Sequence, residues 1–126
     1  MNTEIRKYLI ELARKRTNQT VAYQKLSDDC KLGLDMRGNP SDRKKIGNML
    51  AEISINEFDR KRPLLSSLVL RANDGEEGEG FYKLAEQLGF GTFKNLKKDG
   101  IFEFSQIKEC IEFWSNDKNY FLYKDD

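Results

Sequence analysis

The 126-residue chain contains no histidine. That absence removes the serine triad, the Cys–His dyad and every Cys/His zinc site. Cysteine is nearly as scarce. Two thiols, Cys30 and Cys110, cannot fill four metal positions, and both fall within helical patterns far apart in sequence. They read as reduced, buried residues of an intracellular protein rather than as a disulfide framework. No apolar run approaches the length of a membrane span. The first turns carry Glu4, Arg6, Lys7 and Glu11, which excludes a signal peptide. The expectation is a soluble, cytoplasmic chain with no membrane partner.

What is present is charge and aromatic bulk. Charged residues make up 34% and hydrophobic residues only 38%, yet there are eight Phe, five Tyr and one Trp. Large apolar groups in that number argue for a folded core under a heavily charged surface. The length suits one domain with one core. The net charge of +1 conceals a division. Residues 1–71 hold 15 Lys and Arg against 9 Asp and Glu, whereas residues 72–126 hold 7 against 12. A basic first half can attract phosphates while the acidic second half faces away.

Apolar spacing predicts helices over residues 3–16, with Thr3 as N-cap, and over the run TVAYQKLSDDCKLG, with Gly33 as its stop. A loop containing Gly38 and the Asn39–Pro40 pair follows. A third helix, capped by Ser41 or Asp42, carries Ile46, Met49, Leu50 and Ile53 as its buried stripe. Residues 55–62 read as a short helix or turn ending at Pro63, and Leu64–Leu70 as a central strand. An acidic loop with Gly75, Gly78 and Gly80 leads into a fourth helix stopped by Gly89. Residues 90–104 read as irregular. A last helix starts at Ser105 and buries Cys110 and Trp114, and an aromatic tail docks behind it.

No set of side chains offers catalysis, and neither a metal nor a cofactor is expected. The acidic groups Asp28–Asp29 and Glu76, Glu77 and Glu79 read as solvated surface charge, and those glutamates rule out a phosphate loop. Cations remain. Arg43, Lys44 and Lys45 lie in the first turn of the third helix, where positive charge opposes the helix dipole unless an anion offsets it. Arg37, Arg60, Lys61, Arg62 and Arg71 complete a basic middle third.

The segments TVAYQKLSDDCKLG, DRKKIGNMLAEI and RPLLSSLVLRANDGEEGEGFYKLAEQLG together resemble the C-terminal winged-helix domain of DNA alkyltransferases and alkyltransferase-like proteins, over residues 20–89. The resemblance implies that Tyr23 sits beside the DNA backbone and that Arg43 or Lys44 starts the recognition helix. It further implies that Ile46–Gly47 permits close helix packing and that Pro63–Val69 forms the active-centre strand. The family's Pro-Cys-His-Arg centre is here Pro63-Leu64-Leu65-Ser66, so alkyl transfer is excluded. The chain is also similar to uncharacterised small bacterial proteins with the same Arg-Pro-Leu-Leu-Ser strand and a late Trp-Ser pair.

The expected architecture is a single, mostly α (α+β) domain over residues 1–126. It has a winged-helix-like core at about 20–89, one or a few short strands, and a helical extension over 90–126. The expected role is non-enzymatic duplex nucleic-acid binding through Tyr23, Arg37, Arg43, Lys44, Lys45, Arg60, Lys61, Arg62 and Arg71. The alternative is a protein-interaction module or accessory subunit of a bacterial or phage system.

Overall fold

Ile5, Leu9, Leu12 and Ala13 recur at helical spacing and build α1 (Thr3–Ala13) in the computed structural model, which describes all 126 residues. Its cap is Asn2, one residue before the expected Thr3. The Asn2 side chain accepts a hydrogen bond from the Ile5 N–H at 3.0 Å.

The second expected helix splits in two. Val21–Ala22 forms strand β1, and only Tyr23–Asp29 forms α2. The stop comes at Lys31 rather than Gly33. Lys31 takes φ +55°, its N–H donates to Asp28 O at 3.1 Å, and the Leu32 N–H donates to Ser27 O at 2.9 Å. This is the left-handed closure that usually falls on glycine.

Helix α3 (Pro40–Asp59) is a single 20-residue rod, about 30 Å long at 1.5 Å per residue. Asn39 caps it by accepting from the Ser41 N–H, and Pro40 fills the first position, where a missing N–H costs nothing. Residues 55–59 of the segment expected as a short helix or turn over 55–62 are its last turns. Lys61, at φ +59°, ends it by donating to Phe58 O while the Arg62 N–H donates to Glu57 O, both at 2.9 Å.

The expected strand Leu64–Leu70 is mostly not a strand. Leu65–Leu68 is a 3-10 helix, and only Val69–Leu70 forms β2, which pairs in parallel with β1 through Val21↔Val69 and Ala22↔Leu70. Burial of the run is complete from Leu64 to Val69, but an unbroken apolar stretch suits a buried helical turn as well as a strand. Ser54 anchors the turn, since its Oγ accepts from the Ser66 N–H at 3.0 Å and lies 2.6 Å from Ser66 Oγ. Residues 71–76 then close on themselves, with the Arg71 N–H donating to Glu76 O and the Gly75 N–H to Arg71 O.

Helix α4 (Glu79–Gln87) ends at Gly89, φ +92°, as expected. Residues 90–104 are not irregular: they hold α5 (Phe93–Asp99) and the start of α6 (Phe102–Ser115), so Ser105 lies inside a helix. Phe93 and Phe102 are drawn into order by packing on a small core around Leu64, Phe81 and Tyr82. Helix α7 (Asp117–Tyr123) is the docked tail. The larger core gathers α1, α3 and α6 around the 3-10 helix and the fully buried Trp114. The fold is mostly α with two short strands. No helix is long and apolar enough to cross a membrane.

Candidate functional site

Four of the residues singled out from sequence meet at one cleft of about 780 Å³. Tyr23 comes from α2, Arg37 from the loop before α3, Arg43 from the first turn of α3, and Arg71 from the end of β2. Ile46, Met36 and Ala72 give the cleft apolar walls, and Gly47, Gly78 and Gly80 keep those walls bare. A volume of this size is typical of a small-molecule or nucleotide-sized site, about 300–1,000 Å³.

The three arginines differ in how free they are. Arg37 is exposed and forms no ion pair, and its backbone is held by Asp35. Arg43 donates to Met36 O at 2.8 Å, which leaves the rest of its guanidinium fork open. Arg71 is engaged by Asp74 at 2.7 Å and Glu76 at 3.4 Å. Asp74 is held below its usual carboxylate range, first by the Glu76 N–H and then by Arg71. The attraction for an anion is therefore strongest on the Arg37–Arg43 side.

Tyr23 lines the cleft beside Gly78. Its hydroxyl lies so close to Gly78 that a Cβ there would stand 2.8 Å from it. Burial pushes the phenol up to about 12, and the nearby Glu77 adds to the shift. The phenol therefore stays protonated across the ordinary pH range.

Gly47 is the cleft residue that sequence misread. No atom lies within 4 Å of the position its Cβ would take, so it permits no close helix packing. It occupies an exposed turn of α3 and opens the cleft floor instead. A glycine in a helix interior with no packing reason was the signal available.

The remaining cations do not join this cleft. Lys44 and Lys45 are exposed on the first turns of α3, and Lys45 lies 3.8 Å from Asp42. The backbone amides at the start of α3 are not free for an anion. Pro40 has no N–H, Ser41 donates to the Asn39 side chain, and Asp42 and Arg43 donate to Asn39 O. Arg60 and Lys61 are exposed at the far end of α3, about 25 Å from Arg43 by helical rise. Arg60 bonds back to Asn56.

Arg62 is not a surface cation at all. It is 6% exposed, and its Nε lies 2.9 Å from Glu57 Oε1. Glu57 is fully buried and also takes Arg6 at 2.9 Å. Arg6 continues to the carbonyls of Tyr123 and Lys124, so this cluster fixes the C-terminal helix. A second expectation is corrected at Glu77, which is 2% exposed rather than solvated.

The chain matches no protein-family model, no curated protein and no solved structure.

Proposed function

We propose that the chain binds duplex nucleic acid without catalysing a reaction, and that the contact is made by the rim of this cleft. The observation that supports the reading is the convergence of Arg37, Arg43 and Arg71 from three separate segments on one concavity. Phosphates are recognised by forked guanidinium donors held at fixed geometry, and Arg43 is fixed by its bond to Met36 O. Lys44 and Lys45 extend the positive surface along the first turns of α3. Tyr23 and the glycine-lined walls supply apolar surface inside the cleft, beside the phosphates.

The test is a salt titration of a fluorescent duplex of about 20 base pairs, read by anisotropy. Each phosphate contact contributes a slope of about 0.9 in log K against log salt. Replacing Arg37 and Arg43 by Ala is expected to weaken binding and flatten that slope. Absence of salt-dependent binding at low ionic strength would sink the reading.

The second reading, a protein-interaction module, draws support from a different surface. Phe121 and Leu122 are 68% and 56% exposed on α7, although the helix itself is docked. Recovery of a stoichiometric, nuclease-resistant protein partner that is lost when both residues are changed to polar ones would favour it.

A further inference from the structure

A duplex on the rim leaves the interior of the cleft unused. A space of about 780 Å³ is too narrow for a duplex, but it lies within the range of about 300–1,000 Å³ that small-molecule sites occupy. Its walls are of two kinds. Met36, Ile46 and Ala72 are apolar. At Gly47 and Gly80 no atom lies within 4 Å of where a Cβ would stand, so bare backbone there admits a flat ring at close range.

The open polar groups are few. Arg37 has a side chain with no hydrogen bond or ion pair, and Arg43 spends one N–H on Met36 O at 2.8 Å. Arg71 is committed to Asp74 and Glu76. Gln24 is closed as well, since its amide donates to Asp28 and Leu34 O and its carbonyl accepts from the Met36 N–H. The Asn73 amide keeps both its donors and its acceptor free. Two open guanidinium groups match the double negative charge of one terminal phosphate. A polyphosphate would bring surplus negative charge toward Glu79 on the lining and toward the carboxylates beside Arg71.

We propose that the cleft binds a nucleoside monophosphate, its phosphate on Arg37 and Arg43 and its base against the apolar and glycine walls. The Asn73 amide is available to the polar edge of the base. This site stands without the duplex reading, but the two share Arg37 and Arg43. An occupied cleft therefore releases a duplex from the rim, and the nucleotide acts as an effector.

The experiment is isothermal titration calorimetry of the full chain at fixed ionic strength. The probes are the four ribonucleoside 5′-monophosphates, their parent nucleosides, the matching triphosphates and inorganic phosphate. The expected result is one site per chain, with a monophosphate bound at least about ten-fold tighter than its nucleoside or inorganic phosphate, and tighter than its triphosphate. Arg37→Ala is expected to weaken binding at least about ten-fold, and no contact within the fold is lost with that side chain. Gly80→Ala fits the fold but narrows the cleft, so it too should weaken binding. Arg60→Ala, at the far end of α3, should leave it unchanged.

The proposal is overturned if no monophosphate binds at millimolar concentration, or if Arg37→Ala binds like wild type. Inorganic phosphate binding as tightly as every monophosphate would also overturn it, because the walls would then contribute nothing. In the anisotropy assay a saturating monophosphate should displace a bound duplex, and a duplex retained would place the nucleotide elsewhere and overturn the assignment. A chain that binds a monophosphate but no duplex upholds this site and sinks the duplex reading. Binding of duplex alone does the reverse.

Discussion

Glu57 and Arg62 stand five residues apart and form a buried ion pair across the end of α3, with Arg62 Nε 2.9 Å from Glu57 Oε1. Arg6 donates to both oxygens of the same carboxylate, so one anion pairs with two buried guanidinium groups. Both arginines also face the Trp114 ring. Removing the shared anion leaves Arg6 with only the carbonyls of Tyr123 and Lys124, and Arg62 with only the exposed Asp126 carboxylate at 3.6 Å. Glu57→Ala is therefore expected to cost about 3–5 kcal/mol in urea unfolding. A loss below about 1 kcal/mol would mean that the cluster is hydrated and structurally unimportant.

Lys31 and Lys61 both hold left-handed backbone at helix ends, with φ of +55° and +59°. That conformation strains any residue with a Cβ, whereas the lysine side chains are exposed and add little. Lys61→Gly is expected to stabilise the fold by about 1 kcal/mol, and Lys31→Gly similarly. Thermal melts at fixed pH check both. A drop in Tm for either would show that the lysine stem packs usefully against its neighbours.

These helix ends also show what the sequence could and could not convey. The apolar stripes of α1 and α4 are legible because their residues recur every three or four positions, and Gly89 announces its own turn. Lysine carries no mark of positive φ, so the stops of α2 and α3 are invisible in the sequence, where Gly33 and Pro63 stand out instead. The run from Leu64 to Leu70 misleads because an unbroken apolar stretch has no period. Arg60, Lys61 and Arg62 look alike in sequence, and only the placement of Glu57 inside the core separates Arg62 from the other two. Glu77 is equally disguised between exposed Glu76 and Glu79. Arg37, Arg43 and Arg71 could be named one by one, but their meeting in a cleft depends on how β1 pairs with β2.

Burial raises the Glu77 carboxyl to about 10, with the facing Glu103 adding to the effect. The other groups around it are the Tyr23 and Tyr82 phenols, Glu76 and, on α6, Cys110. In the unfolded chain the carboxyl returns to its ordinary value of 4.5. The folded state thus holds a proton that the unfolded state releases. The sign follows: this stability is fully present below pH 4.5 and is lost progressively as pH rises toward 10. Glu77→Gln is expected to lessen the fall in Tm between pH 6 and 9. Identical slopes for variant and wild type would refute a neutral Glu77.

Gly78 has no room for a side chain, because its Cβ would stand 2.8 Å from the Tyr23 hydroxyl. Tyr23 packs against the main core and cannot swing away freely. Gly78→Ala is expected to cost about 1–3 kcal/mol. Tyr23→Phe removes the clashing oxygen, so the double variant should recover much of that loss. Additive losses in a double-mutant cycle would place the strain elsewhere.

Gly47 separates stability from binding in a single position. It lies in an exposed turn of α3, where alanine is favoured over glycine by about 1 kcal/mol. No atom lies within 4 Å of the new Cβ, so nothing in the fold opposes the change. The methyl group enters the cleft beside Arg43 and Ile46. Gly47→Ala is therefore expected to raise Tm and, if the cleft holds the ligand, to lower duplex affinity at constant salt. Arg60→Ala provides the complementary control, since it lies at the other end of the same helix and should leave affinity unchanged. A Gly47→Ala protein that is more stable and binds as well as wild type would move any binding surface out of the cleft. Loss of affinity in Arg60→Ala would extend the surface along the full length of α3.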